Sequence, residues 1–143
     1  MNDLHLIAHV AGRTVAIASE QVESVVDIGE ITPVPRADAI VRGLAALRSR
    51  VVTVIDTPVA VGLPPSGPAA TRAVMVLRDG HHYALLVDAL DDVAPFTLQP
   101  LANGMPLAPA WRAIARGLIE REGEPILVID PLALLPGYVT AAA

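Results

Sequence analysis

The chain has 143 residues, of which 53% are hydrophobic and only 3% aromatic, and its formal net charge is −5. This length allows one compact domain or two small ones, with a core of Val, Leu, Ile and Ala. Net acidity without a Lys/Arg cluster argues against nucleic-acid binding, because such proteins neutralise phosphates with clustered cations. The absence of cysteine excludes disulfides, thiolate catalysis and cysteine-ligated zinc.

The distribution of apolar residues argues against a membrane-spanning protein and against a secreted one. No apolar run approaches the ~18 residues of a membrane-spanning helix. The N-terminal residues 1–5 lack the basic start and apolar centre of a signal peptide. We therefore expect a cytoplasmic protein without direct membrane insertion.

The first third of the chain reads as short strands separated by turns. Residues 4–10 alternate, so that a first strand is expected to face the core with its even positions. Gly12 marks a hairpin turn, residues 14–18 form the return strand, and residues 22–28 form a third strand. Prolines within residues 33–35 then force an extended connection.

A second hairpin and a short helix follow this connection. Residues 43–47 and 51–55 are apolar runs separated by the polar turn 48–50, which predicts two strands joined by a tight turn. Asp56 stands where it would cap the N-terminus of a short helix that ends at Gly62.

The same plan recurs later in the chain. Residues 39–44 return as 113–118 at an offset of 74 residues, and residues 22–25 return as 90–93 at an offset of 68. Asp130, the counterpart of Asp56, is expected to cap a short helix over 132–135 that ends at Pro136-Gly137. The offset grows from 68 to 74 along the chain, which places about six extra residues in the proline-rich segment 100–109 of the second copy. We expect the single tryptophan, Trp111, to dock this insertion onto the second copy.

This duplication predicts an all-β fold made of two small five-stranded barrels with short helices. Units of this size are too small for independent sandwiches, and closure into a barrel removes open strand edges. Within a single domain of residues 1–143, barrel one is expected over about 14–62 with partner strands. A linker is expected at 62–68 and barrel two at about 69–135.

The titratable residues do not predict a catalytic or metal site. His5 and His9 would lie on one strand face about 13 Å apart, which is too far to share a metal, and His81 and His82 point to opposite faces. The chain has no phosphate-binding glycine loop, nucleophile elbow or metal-ligand spacing. Three carboxylates are predicted to lie on a solvated strand edge: Asp88, Asp91 and Asp92.

A family pattern runs through the middle of the chain as Arg42-Gly43, Leu47-Arg48, the apolar run 51–55 and Asp56. Upstream, residues 22–25 precede the proline-containing residues 31–35. In order and spacing the chain resembles the CheW-like family of chemotaxis coupling proteins over residues 4–135. Four positions depart from the family's Asn-Leu-Arg-Gly, strand-Pro and Asp-Leu pattern: Ala46, Ser49, Thr53 and Thr57.

The resemblance implies two SH3-like barrels in a pseudo-twofold arrangement and a non-enzymatic function. By this resemblance the chain would be a cytoplasmic adaptor that is recruited to membrane receptor arrays and needs no cofactor or metal. Its implied partners are the regulatory domain of a CheA-type histidine kinase and the cytoplasmic signalling tip of a chemoreceptor.

The resemblance also implies which residues bind partners. Arg48 would be an exposed cation facing a partner, and Gly43 would permit close backbone approach. Three valines would be apolar contacts: Val22, Val51 and Val52. By contrast, Arg42 and Arg116 occupy equivalent repeat positions and are expected to pair with carboxylates, and Asp56 is expected to cap a helix.

Two alternatives stay open at this point. The replacements at Ala46, Ser49 and Thr53 would fit a divergent module that binds only one partner or serves another kinase pathway. An enzyme or small-molecule binder would need an enclosed pocket with convergent polar groups in the groove between the barrels.

Overall fold

The computed structural model describes residues 2–67, 71–101 and 104–136. The expected helix stop at Gly137, the last linker residue Pro68 and part of the 100–109 insertion lie outside them. The strands are β1 (Asn2–Val10), β2 (Arg13–Ala18), β3 (Ser24–Asp27), β4 (Val41–Leu47), β5 (Arg50–Ile55), β6 (Arg72–Arg78), β7 (His81–Leu86), β8 (Ala89–Thr97), β9 (Ala115–Arg121) and β10 (Glu124–Ile129).

The helical elements are short. Helix α1 spans Thr57–Ala60 and α2 spans Pro109–Ile114, and single 3₁₀ turns occupy Ser19–Gln21 and Pro131–Leu134. In the part of the chain that the structure describes, no helix is long and apolar enough to cross a membrane.

The strands form two five-stranded sheets with equivalent strand orders. The terminal sheet has the order β8-β1-β2-β10-β9, and the central sheet has the order β3-β6-β7-β5-β4. In each sheet one parallel pair, β2–β10 or β5–β7, lies among antiparallel pairs. Each strand of one sheet therefore has a counterpart at the same place in the other, which confirms the predicted all-β fold of two five-stranded, barrel-like units in a pseudo-twofold arrangement.

The sequence predicted one barrel in each contiguous half of the chain. The strands are divided between the two sheets in a different way. The central sheet takes the continuous run β3 to β7, whereas the terminal sheet joins the first hairpin, β1–β2, to β8, β9 and β10. The segment 62–67 therefore connects two strands of one sheet. A repeat offset cannot reveal this exchange, because it shows which segments are equivalent but not which of them pair.

The buried apolar residues of the described ranges form three clusters. The terminal sheet curves into the terminal barrel, which encloses Ile7, Ala16, Ile119, Ile126 and Val128. The central sheet curves into the central barrel, which encloses Ile28, Ala45, Val52, Val54, Ala73, Met75, Ala84 and Leu86. The largest cluster lies between the sheets and draws on both, with side chains that include Leu6, Val15, Val76, Leu85 and Leu127. We call this third cluster the shared core.

Strand β1 shows how the clusters divide the side chains. Leu6, Ala8 and Val10 enter the shared core, as the alternation predicted for the even positions. Leu4 does not follow them, because it lies near the end of the strand and remains 54% exposed. Ile7, on the opposite face, is buried inside the terminal barrel.

The described part of the inserted segment lies beside the terminal sheet, where Leu107 lines a groove with Thr14 and Leu118. Leu107 packs against the shared core, and Trp111 is buried within it. The Arg13 guanidinium lies 4.9 Å from the centre of the Trp111 ring, within the range of a cation–π contact. Trp111 is therefore buried as expected, but its cation–π partner belongs to the first hairpin, β2, rather than to the second copy.

A glycine allows each barrel to close. In the central sheet, Thr32 and Leu44 exchange backbone hydrogen bonds of 2.8 and 2.9 Å. A Cβ at Gly43 would overlap the Thr32 carbonyl oxygen. In the terminal sheet, Gln99 pairs with Leu118, and a Cβ at Gly117 would overlap the Gln99 carbonyl oxygen.

We expect Gly43→Ala to lower the free energy of unfolding by about 2 kcal/mol, because the added methyl group must displace backbone at the closure. Gly29→Ala is the matched control, since a Cβ there meets nothing within 4 Å, and it should change stability by less than about 0.5 kcal/mol. Urea unfolding of both variants checks this. Equal stabilities would show that the closure has room for a side chain.

Candidate partner-binding site

The β4–β5 hairpin presents an exposed arginine at its tip. Leu47 pairs with Arg50 across the hairpin, so Arg48 and Ser49 form the turn. Arg48 has a φ of 57°, the left-handed conformation that tight hairpin turns require. Its side chain is exposed and makes no hydrogen bond or ion pair with any residue that the structure describes. The rigid hairpin thus holds an uncompensated cation in solvent.

A shallow groove lies beside this turn. It is lined by Glu23, Ser24, Val25, Val26, Leu47, Arg48, Ser49, Arg50 and Met75. The only carboxylate among these residues, Glu23, is already engaged, because its oxygens lie 2.7 Å from His82 Nδ1 and 3.8 Å from Arg50. Arg48 therefore keeps its charge available to a ligand.

Strand alternation separates two of the predicted apolar contacts. Val51 is 62% exposed on the outer face of β5, next to the turn, whereas Val52 is fully buried inside the central barrel. Successive strand residues point to opposite faces, so Val52 cannot touch a partner while the barrel is closed. The expectation for Val52 is corrected accordingly.

The other two predicted residues have internal roles. Val22 is half-buried against the shared core. Gly43 is buried, and the backbone that it admits is the chain's own Thr32. Of the five predicted residues, Arg48 and Val51 lie together at the surface, while Val22, Gly43 and Val52 do not join them.

Two apolar residues that were not predicted complete the outer face of the hairpin. Ala46 lies directly opposite Val51, and Leu44 lies opposite Thr53. Leu44 is 37% exposed and Ala46 is also exposed. The alternation of β4 could have identified both, because they alternate with the buried Gly43 and Ala45.

Arg42 and Asp56 form a buried anchor at the base of the hairpin. Arg42 donates to Asp56 at 3.1 Å and to the Ser66 carbonyl oxygen at 2.8 Å. Asp56 is 3% exposed and also accepts from the Ser66 hydroxyl at 3.0 Å. The expected pairing of Arg42 is confirmed, but the Asp56 side chain does not cap α1, because these donors already use its oxygens.

The equivalent anchor in the second copy is indirect. Arg116 donates to Gln21 Oε1 at 3.0 Å, and Gln21 Nε2 donates to Asp130 at 3.1 Å. Arg116 therefore reaches a carboxylate only through an amide side chain. Asp130 accepts from the Leu132 backbone N–H at 3.0 Å, which confirms the predicted cap.

Asp91 lies on the exposed edge strand β8, as predicted, and belongs to an ionic cluster there. Its carboxylate lies 3.0 Å from His9 Nε2 and 3.2 Å from Arg121. The hydrogen bond with His9, followed by the contact with Arg121, holds the pKa of Asp91 below its usual range. Within residues 2–67, 71–101 and 104–136, no three His, Asp or Glu side chains are placed to share a metal ion.

We expect Asp56→Asn to reduce the free energy of unfolding by about 2–3 kcal/mol, because it leaves the largely buried Arg42 without a counter-charge. Asp27→Asn is the matched control. Asp27 pairs with Arg72 at 3.0 Å, but their side chains are 68% and 49% exposed, so this loss should be less than about 1 kcal/mol. Chemical unfolding at neutral pH distinguishes the two, and similar losses would contradict a special role for Asp56.

Comparison with known proteins identifies the family. A sequence profile of the CheW-like domain matches residues 5–138. "Chemotaxis protein CheW" of Rhizobium meliloti (strain 1021) is 27% identical over 114 residues, which are 78% of this chain and 74% of that protein.

The fold is also similar to a solved structure. The crystal structure of the scaffolding protein TtCheW from Thermoanaerobacter tengcongensis aligns with a TM-score of 0.80 and 22% identity, covering 99% of each chain. Since the domain profile spans nearly the whole sequence and the fold agrees with it, the chain belongs to the CheW-like domain family.

Proposed function

We propose that this chain is a non-enzymatic adaptor that couples the cytoplasmic signalling tip of a chemoreceptor to the regulatory domain of a CheA-type histidine kinase. The proposal is supported by family membership and by a relative named as a chemotaxis protein. The observation that carries it is the uncompensated Arg48 beside the exposed Val51. Arginine next to apolar surface on a rigid element is typical of binding hot spots.

Coupling of this kind is mechanical. An adaptor binds one protein on each of two surfaces and transmits a change in their mutual arrangement. The shared core packs both sheets against each other, and close-packed interiors transmit strain because they resist compression. A displacement at the β4–β5 hairpin would therefore move the terminal sheet with it.

This function requires no catalytic site, cofactor or metal. The space between the sheets, where a small-molecule pocket would lie, is filled by apolar side chains such as Leu6, Val76 and Leu127. The adaptor would act in the cytoplasm, at receptor arrays on the membrane. Its acidic character would make association sensitive to salt.

A second candidate function is a divergent module that binds only one of these partners. It is favoured by the environment of Arg48. The nearby Glu23 binds Arg50 and His82 instead of Arg48, and Ser24 and Ser49 supply no charge of their own. Two of the departures from the family pattern, Ala46 and Ser49, are exposed beside Arg48, so this surface differs from the family's and one of the two partners would no longer fit.

The test is a bridging experiment with the cell's own CheA-type kinase and a receptor signalling fragment. Wild type should bring both into one complex, and Arg48→Glu should weaken one of the two contacts at least about tenfold, because charge reversal at a contact turns attraction into repulsion. Quantitative pull-down or surface plasmon resonance measures each contact separately.

Arg36→Glu is the control, since Arg36 is also exposed and has a similar φ of 61°. Arg36→Glu changes the net charge, and the residue type at a positive φ, in the same way as Arg48→Glu. It should nevertheless leave both partner contacts intact. If wild type retains only one partner, the divergent module replaces the coupling role. Equal binding by the two variants would remove Arg48 from the site.

A further inference from the structure

One histidine nitrogen lies between a carboxylate and a guanidinium beside the groove. His82, on β7, has its Nδ1 atom 2.7 Å from Glu23 Oε1 and 3.3 Å from Arg50 Nη1. The other oxygen of Glu23 lies 3.8 Å from Arg50. These three side chains therefore form one cluster, which we call the Glu23 cluster.

The two contacts of this nitrogen exclude each other. An ionised carboxylate only accepts hydrogen bonds, and a guanidinium only donates them. Nδ1 accepts from Arg50 only when it carries no proton, and it donates to Glu23 only when it carries one. Because an imidazolium has a proton on both ring nitrogens, protonation of His82 leaves Glu23 as its only possible partner within the cluster.

Protonation also decides which cation neutralises Glu23. The charged ring lies within hydrogen-bond distance of the carboxylate, whereas Arg50 lies farther away. The ring repels Arg50 as a like charge. Since the Arg50 side chain is 54% exposed, it can turn into solvent at the groove that it shares with Arg48. The turn would then present two arginines without an ion pair instead of one.

Among the described residues, no other charged group lies within hydrogen-bond or ion-pair distance of His82. Strand β6 places the apolar Leu77 opposite it. Arg78, the next residue of β6, donates to the Tyr83 hydroxyl instead. His81 and Tyr83 adjoin His82 on β7 and point to the opposite face of the strand. The charge of His82 therefore acts on Glu23 and Arg50 above all.

The equivalent carboxylate of the second copy lacks this conflict. Asp91 corresponds to Glu23 at the offset of 68 residues, and it lies 3.0 Å from His9 Nε2. His9 Nδ1 lies 3.1 Å from the Thr14 hydroxyl, which can both donate and accept. His9 therefore keeps a partner on each ring nitrogen in either charge state, and the competition for one nitrogen is particular to the central barrel.

We propose that His82 is a pH-dependent positioning residue of the basic turn, residues 48–50. Protonated His82 takes Glu23 from Arg50, and the turn then binds an acidic surface of its partner more tightly. Histidine is the side chain whose charge ordinarily changes between pH 5 and 8, so a fall in pH strengthens this contact. The identity of the partner rests on the proposed function, whereas the release of Arg50 is a property of this chain alone.

Carbon-detected NMR of the purified, isotope-labelled chain tests the release of Arg50. Between about pH 8 and about pH 6, the Nε and Cζ resonances of Arg50 should shift with the same midpoint as the ring resonances of His82. His82→Gln should abolish this shift. The matched control is His81→Gln, which removes the neighbouring histidine from the opposite face of β7 and should leave the shift intact.

Glu23→Gln separates release of Arg50 from a mere effect of nearby charge. An effect of the ring charge alone would persist in this variant, whereas release requires a carboxylate that Arg50 can lose. The Arg50 resonances of Glu23→Gln should therefore stay close to the low-pH position of wild type at both pH values. Thermal unfolding verifies that every variant is folded.

Surface plasmon resonance measures the consequence with the kinase regulatory domain and the receptor fragment, each as a separate ligand. For the partner that Arg48→Glu weakens, wild type should bind about two- to fivefold more tightly at the lower pH, the range of one exposed ion pair. His82→Gln and Arg50→Gln should each lose this difference, and His81→Gln should keep it. Glu23→Gln should bind at the higher pH as tightly as wild type does at the lower, a gain that damage to the fold would not produce.

The proposal is overturned if the Arg50 resonances do not follow the titration of His82, or if they follow it equally in Glu23→Gln. It is also overturned if wild type and His82→Gln show the same ratio of affinities between the two pH values. Release of Arg50 in the free chain, with neither partner bound at the turn, would confirm the positioning role of His82 and contradict the proposed function.

Discussion

The outer faces of the two sheets bury each other around side chains such as Leu6, Val76 and Leu127, and the rest of the architecture follows from this shared core. A five-stranded sheet of short strands has little interior of its own: among the described residues, the cluster inside the terminal barrel contains five buried apolar residues. When the outer face of each sheet packs against the other sheet, the middle strands of both sheets bury apolar side chains on two faces instead of one. Neither sheet would hold its shape as well alone.

The shared core also determines which surface stays exposed. Strand β5 runs from the hairpin tip toward this core, so Ile55 is buried within it while Val51, at the other end of the same face, remains in solvent. The equivalent stretch of the terminal sheet is flanked by the inserted segment, where Met105, Pro106 and Leu107 share a groove with Leu118 and Pro125. The first copy has no such insertion. Its outer face therefore keeps Leu44, Ala46 and Val51 available.

Local patterns predicted most strands and turns, because alternation, turn residues and caps act over a few positions. Asp130 caps its 3₁₀ turn as expected, and Trp111 enters the core as expected. The errors arose where distant segments meet. Asp56 resembles a cap in sequence, but Ser66 and Arg42 reach it through the fold. The exchange of the first hairpin between the copies likewise depends on a choice between two equivalent pairings.

The candidate site illustrates the same division between local and tertiary information. Resemblance placed Val51 and Val52 together, but their opposite directions on a strand decide that only Val51 is accessible. The alternation that predicted the strand could have separated them and would have added Leu44. Among the described residues Arg48 has no ion-pair partner. This could not be predicted from the sequence, because it depends on Glu23 pairing across the groove with Arg50 and His82.

Comparison of the two copies separates the constraints of the fold from those of its surface. Gly43 and Gly117 are both retained, since each barrel must bring a carbonyl oxygen against that position to close. The turns of the β4–β5 and β9–β10 hairpins have no such constraint, because their side chains point into solvent. The two copies differ there in the sign of their charge, with Arg48 in the first and Glu122 in the second. A duplicated fold with identical surfaces would present the same chemistry twice. Opposite turns give the pseudosymmetric molecule two ends of different chemistry, although the two barrels that carry them share one fold.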